Sequence, residues 1–312
     1  MKKRLAYILF FITTIIWGFA FVSQKEASVV APFSVGVGRG LLASVLLFAI
    51  IPLMDRLTKN GRCFFNKKNL IDINRRELIG GVVLGVLITV ASAFQQYGLG
   101  AGTDAGKAAF ITALYVVLVP IMSIFIGKKP NITSIISVPI AVVGFYLLCI
   151  KPGSSLEVND LLVLICAVIF AVQIIAVDRL SPGCDGVRMS LIQFVVSSVL
   201  NFILAYMFEG GVDYTGLISV FPSIMFLGLL SSGVGYTLQI IGQKAVDPTV
   251  SSIILSMESV FGVIGAALLL GEVMTAREYI GCAVVLVAVI LAQIELPVLK
   301  ERIKAKREDK NE

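Results

Sequence analysis

The chain of 312 residues contains no histidine. That absence removes the commonest metal ligand, general base and proton shuttle of neutral pH. Cysteine is sparse as well, with five residues at positions 63, 149, 166, 184 and 282 and no zinc or redox spacing among them. They read as packing residues, and no metal, cofactor or enzyme activity is expected. Charge is scarce: Asp, Glu, Lys and Arg make up 15% of the chain, against about one-quarter in an ordinary soluble domain. Long polar stretches are few, being the basic loop 54–77 and the tail 297–312. Neither is large enough to fold alone.

What remains is apolar. Hydrophobic residues supply 57% of the sequence, more than one globular core can use, so lipid is the expected second solvent. A span needs about 20 apolar residues to cross ~30 Å of hydrocarbon. By that rule ten spans are expected, at 5–23, 32–52, 78–98, 106–126, 132–150, 158–177, 188–208, 216–240, 249–270 and 276–295. The start, MKKRLAYILFFITTIIWGFAFV, imitates a signal peptide, but its apolar run is long and no small-residue cleavage site closes it. It reads as a retained first span.

The net charge of +6 does not point to nucleic acid, because the basic residues stand in short segments beside apolar runs. With the N-terminus inside, 21 of the 26 Lys and Arg residues fall on inner segments. The expected location is the plasma or inner membrane, multi-pass, with both termini cytoplasmic. The basic tail LKERIKAKREDKNE is expected to rest against anionic headgroups. A gap-free offset of 144 pairs Gln95 with Gln239, Gly98 with Gly242, Val116 with Val260 and Gly127 with Gly271. Two five-span halves, 1–152 and 153–296, follow. An odd span count per half makes the second half insert upside down, a design in which the substrate site lies between the halves. The fold class is therefore all-α and integral to the membrane, with ten helices in two inverted five-helix repeats around a central cavity.

Several motifs now carry a resemblance. WGFAF in the first span, GRGLLAS in the second, and SMESVFGVIGAALLLGE followed by YIGCAVVLVAVI resemble the EamA-type carriers of the drug/metabolite transporter superfamily. The resemblance implies ten spans, cytoplasmic termini and a central cavity for amino acids, other metabolites or drugs, mostly moved outward. In that family the ninth-span glutamate is often followed by proline. Ser259 stands there in this chain, which makes a kink at that point less expected.

Glu258 is the residue whose position most needs a reason. An ionisable group near mid-span costs ~2.5–3.5 kcal/mol on insertion scales and is a functional candidate by default. Its helix side carries Ser251, Ser252, Ser256, Ser259, Gly262 and Gly265, so it should face the bundle interior. It reads either as a substrate or proton-exchanging group or as a structural carboxylate tying two helices. Arg39, in FSVGVGRGLLA, either snorkels outward or lines the cavity and attracts carboxylates. Gln95, Tyr236 and Gln239 lie toward span ends, as belt residues or cavity walls. Trp17 sits too deep for an aromatic belt, and Tyr115 lies at comparable depth. Pro120 suits a bend in span 4. Lys25, Asp104 and Lys107 read as solvated mouth charges.

The candidate substrate-binding set is thus Trp17, Arg39, Gln95, Tyr115, Tyr236, Gln239, Ser256 and Glu258, with Glu258 the proton-coupling candidate. The stretch GAGTDAGK lacks phosphate-loop spacing, since Gly100 and Gly102 precede Gly106 and Ala108 follows Lys107, so no ATP motor is expected. The leading expectation is a secondary carrier acting by alternating access on a small molecule such as an amino acid, as exporter, exchanger or proton-linked carrier. Its partners are the substrate and the lipid bilayer, not nucleic acid or ATP, and a monomer is expected. An integral-membrane enzyme acting on lipid and a passive channel are the alternatives.

Overall fold

The computed structural model describes residues 3–58, 72–128, 130–150, 157–270 and 275–293. The tail 297–312 and most of the basic loop 54–77 lie outside them. Every described element is helical, as expected of a chain that must satisfy its backbone donors and acceptors within each segment. The first half comprises α1 (Lys3–Glu26), α2 (Pro32–Thr58), α3 (Arg75–Gly100), α4 (Ala105–Ala113), α5 (Tyr115–Phe125) and α6 (Ile132–Cys149). The second comprises α7 (Val158–Leu180), α8 (Gly186–Phe208), α9 (Tyr214–Ser219), α10 (Phe221–Met225), a π-helical segment (Phe226–Gly235), α11 (Tyr236–Gln243), α12 (Pro248–Leu255), α13 (Glu258–Leu270) and α14 (Ala276–Gln293).

Eight stretches are long and apolar enough to cross a membrane: 3–29, 32–56, 75–100, 105–125, 158–180, 186–208, 221–243 and 248–269. The remaining expected spans, 132–150 and 276–295, correspond to α6 and α14. Those two helices pack on each other, with Val285 seated against Gly144. Many large apolar side chains face outward, among them Phe48, Val86, Ile124 and Val199, as lipid contact demands.

The interior is knitted by small residues that let helices approach. A Cβ added at Gly18 of α1 would lie 2.4 Å from Cβ of Phe261 on α13. One added at Gly40 of α2 would lie 2.5 Å from Oγ of Ser198 on α8. The helix starts are capped by local acids and amides: Asn74 and Glu77 form a capping box on α3, and Asp185 accepts from Val187 and Arg188 on α8.

Polar clusters pin both ends of the bundle. At the end where α1 begins, Arg188 is buried between Asp55 (2.7 Å) and Asp185 (2.8 Å) and donates to the Asp72 carbonyl. Glu77, taken as part of a polar loop from the sequence, is fully buried there and accepts from the Asp185 amide at 2.8 Å. At the opposite end Lys107 is 2.6 Å from Asp160, and Lys25 donates to the carbonyls of Leu99 and Thr103. Lys107 is therefore a buried ion-pair partner, a correction to its reading as a solvated charge. Its counter-ion, Asp160, comes from the first turn of α7.

Two spans are broken, and at matching places. α4 gives way to α5 at Leu114, and α12 to α13 at Ser256–Met257. Adding the repeat offset of 144 to position 114 gives 258. Both breaks tighten to bonds three residues apart: Leu114 N–H to Ile111 and Val117 N–H to Leu114, and likewise Met257 N–H to Ile254 and Ser259 N–H to Ser256. The second break forms without proline, a correction to the straighter ninth span expected from Ser259. Pro120 lies inside α5, and the break of span 4 falls at Leu114 instead.

Candidate functional site

A cavity opens between the halves, walled by α1, α2, α3, the break of α4 and α5, α7, the π segment, α11 and the head of α13. It encloses roughly 450 Å³ of empty space, counting its open mouth. The part of it that a water-sized molecule can occupy is only about 30 Å³, room for about one or two waters, so the site is nearly closed in this state. Trp17, Arg39, Gln95, Tyr115, Tyr236, Gln239 and Glu258 all line it. Ser256, the remaining candidate, is not in its wall; its hydroxyl is spent on the Ile253 carbonyl of its own helix at 2.8 Å. The sequence reading overlooked Gln24, Thr112, Phe170, Gln173 and Ser231, which also line the space. Gln173 was legible, being an amide deep in the apolar run of α7.

The aromatic wall is built by an unusual backbone. Trp17 stacks on Tyr236 with ring centroids 4.6 Å apart, and Phe194 meets Tyr236 edge-on at 5.7 Å. The indole Nε1 donates to the Ser231 carbonyl at 3.1 Å. Gly235 permits this, because a Cβ there would sit 2.5 Å from the indole nitrogen. The π-helical stretch from Phe226 to Gly235 widens the helix at this point, as such segments do at functional sites.

Arg39 is 7% exposed and donates to the hydroxyls of Ser232 (3.0 Å, from Nε) and Ser231 (3.5 Å). It does not snorkel. Glu258 is 5% exposed and accepts from the Tyr115 hydroxyl at 3.1 Å. Neither group makes an ion pair among the described residues. A guanidinium and a carboxyl group therefore share one water-poor space, and the side-chain bonds of each are to neutral hydroxyls. An ionised group in such a space attracts an opposite charge more strongly than it would in bulk water. The breaks of both discontinuous spans adjoin them: Glu258 is the first residue of α13, and Tyr115 the first of α5.

Neutral polar side chains complete the wall. Gln173 and Gln239 exchange hydrogen bonds of 3.2 and 3.0 Å, and Gln95 donates to Thr112 at 3.0 Å. Gln24 presents a buried amide oxygen with no partner in the wall. Among the described residues no group of three or more His, Cys, Asp or Glu side chains is placed to hold a metal.

The EamA-like transporter family matches residues 4–150 and again residues 158–293. An uncharacterized transporter of Archaeoglobus fulgidus is 28% identical over 224 residues, which is 69% of this chain and 69% of its own. A solved crystal structure, described only as that of a protein, superposes with a TM-score of 0.74 at 16% identity, covering 97% of this chain and 99% of the other. At that identity the likeness speaks for the fold alone. Two successive family matches, eight membrane-length helices and an internal cavity with buried charge agree: this multi-pass membrane protein belongs to the EamA-like transporter family.

Proposed function

We propose that the chain is a secondary active carrier of small zwitterionic metabolites, amino acids with apolar side chains foremost, and that it exports them across the plasma or inner membrane. One observation carries the substrate class: Arg39 and Glu258 line the same cavity, are nearly fully buried and have no ionic partner there. A zwitterion supplies both missing partners, its carboxylate to Arg39 and its ammonium to Glu258. Each substrate charge alone would leave the other protein charge uncompensated, which is costly in a buried site. Trp17, Tyr236, Phe21 and Phe170 offer the apolar face for a side chain.

Transport is by alternating access between two inverted five-span halves, with ten spans and both termini cytoplasmic. A reciprocal contact supports the inversion. Asp55, at the end of α2, pairs with Arg188 at the start of α8. Glu209, just past the end of α8, accepts from the backbone amides of Phe33 and Ser34 at the start of α2, at 2.7 and 3.0 Å. Adding 154 to positions 34 and 55 gives 188 and 209, so the two contacts exchange under one pseudo-two-fold axis. Ser44 and Ser198, the same distance apart, each donate to the carbonyl four residues back at 2.8 Å. The distribution of Lys and Arg supports the orientation. Breaks at equivalent places in spans 4 and 9 supply the bending points, as discontinuous helices do in inverted-repeat carriers. Glu258 exchanges a proton or the substrate ammonium in alternate states, with the Tyr115 hydroxyl holding it in either.

Expression in a host exposed to toxic amino acids and their analogues tests the reading. Tolerance should rise with the parent chain and be lost with Arg39→Leu and with Glu258→Gln. Tolerance unchanged for every zwitterion, with the protein present in the membrane, rejects the substrate class.

A further inference from the structure

Gln193 lies in α8 with no accessible surface, and among the described residues neither its amide nitrogen nor its amide oxygen has a hydrogen-bond partner. Buried polar atoms nearly always find partners, and a donor and acceptor both left unmade cost about 1–3 kcal/mol each. A glutamine kept at such cost has a use in some other arrangement of the molecule. Its place in the fold says which. Ser190 and Ser197, three residues before and four after, share its helix face. Ser190 accepts from Thr237 of α11 at 2.8 Å, and Ser197 from Thr89 of α3 at 3.0 Å. The amide is therefore directed between α3 and α11, toward the interior, and not at lipid.

The offset of 154 that exchanges the ends of α2 and α8 also takes position 39 to 193. Arg39 is the eighth residue of α2, and Gln193 the eighth of α8, counted from opposite ends of the bundle. Arg39 bonds Ser232 of the π segment and lines the cavity, whereas Gln193 is fully buried and does not line it. Exchanging the conformations of two inverted halves puts the α8 residue where the α2 residue now stands.

We infer that Gln193 is a wall residue of the substrate path in the opposite-facing state, where its amide meets the polar groups of the substrate. The inference rests on the carrier reading above for its direction of motion. It adds a specificity residue: the path presents a guanidinium on one side and a neutral amide on the other. A substrate carboxylate is then held tightly through Arg39 in one state and more weakly past an amide in the other, so the KM differs between the two faces while the driving gradient alone sets the direction of net movement.

Thiol labelling tests this without any transport assay. In a chain with its five native cysteines replaced by serine, Gln193→Cys is exposed in sealed membranes to a membrane-impermeant methanethiosulfonate ammonium reagent, from either face. Ile192→Cys is the control, because Ile192 is wedged against Gly81 on the packed face of α8. Expected is modification of Gln193→Cys from the face where α1 begins, faster than the control by about tenfold or more, the factor that 1.4 kcal/mol represents. A rate no greater than the control from both faces overturns the inference, whether or not a substrate has been found. In the intact chain, Gln193→Leu removes the unpartnered amide. It should raise the melting temperature in detergent and lower the maximal flux by about tenfold, from the same energy scale. A stabilised variant with parental flux means the residue only packs, and also overturns it. Absence of flux in the parent would instead reject the carrier reading and leave the labelling result standing.

Discussion

Replacing Arg39 by leucine separates binding from folding. The guanidinium is 7% exposed and its described partners are two serine hydroxyls at 3.0 and 3.5 Å. Burying an ion costs several kcal/mol, and hydrogen bonds from a charged group to hydroxyls return about 1.5–3 kcal/mol. The charge is thus poorly compensated in the empty carrier, and an apolar side chain of similar reach should leave the fold as stable or slightly more so. Substrate binding should change in the opposite sense. Deleting one partner of a buried charge pair costs about 2–5 kcal/mol, which is a loss of about 30-fold or more in affinity. Arg39→Lys keeps the charge but not the two-pronged geometry and should fall between. The assay is the KM for zwitterion flux in proteoliposomes, beside a thermal melt of the same preparation. A well-folded Arg39→Leu with a KM within about threefold of the parent, less than 1 kcal/mol, would refute the reasoning.

Other consequences are equally direct. Glu258→Gln keeps an acceptor for Tyr115 and should fold normally while losing most of its flux, and the flux that remains should not depend on pH; parental flux with an unchanged pH profile would leave the carboxylate structural. Gly18→Ala forces a Cβ to 2.4 Å from Phe261 and 2.8 Å from the Glu258 carbonyl, and should lower stability by about 1–3 kcal/mol in a detergent melt, with the α1–α13 contact forced apart. Asp55→Ala leaves Arg188 buried with one carboxylate fewer and should cost about 3–5 kcal/mol, seen as loss of folded protein on size exclusion, whereas Asp55→Ala with Arg188→Leu should recover part of it. Trp17→Phe keeps an aromatic face but loses the bond to the Ser231 carbonyl; a weaker KM for apolar amino acids, with a stability loss of about 1–3 kcal/mol, is expected from transport and melting measurements together.

Much of the architecture was legible because lipid imposes a simple code. Apolar runs of about 20 residues have one structural solution, so the spans could be placed from composition and length. Seven of the eight candidate site residues meet in one cavity, since polar and aromatic side chains deep in apolar runs have few other places to go. What stayed hidden depends on backbone geometry. The π segment in span 8 is written only as a mixture of glycines and serines between Phe226 and Gly235, a pattern also compatible with a regular helix. The break before Glu258 needs no proline because Ser252 and Ser256 hydroxyls bond the backbone carbonyls of Thr249 and Ile253, competing with the helix ladder. Burial of Lys107 and Glu77 arises from partners far along the chain, Asp160 and Asp185, which no local window contains.

The central claim is that this membrane protein carries zwitterions through a cavity where Arg39 and Glu258 await opposite charges. Counterflow measures it most directly. Proteoliposomes loaded with a millimolar panel of unlabelled amino acids are diluted into trace labelled amino acid of the same kind, without an ion gradient. The account predicts transient, saturable accumulation for at least one amino acid with an apolar side chain, abolished by Arg39→Leu, with no accumulation of the matching amine or carboxylic acid that lacks the other charge. Accumulation of those single-charge analogues as strong as that of the zwitterion, or flux that rises linearly without saturation, would contradict it.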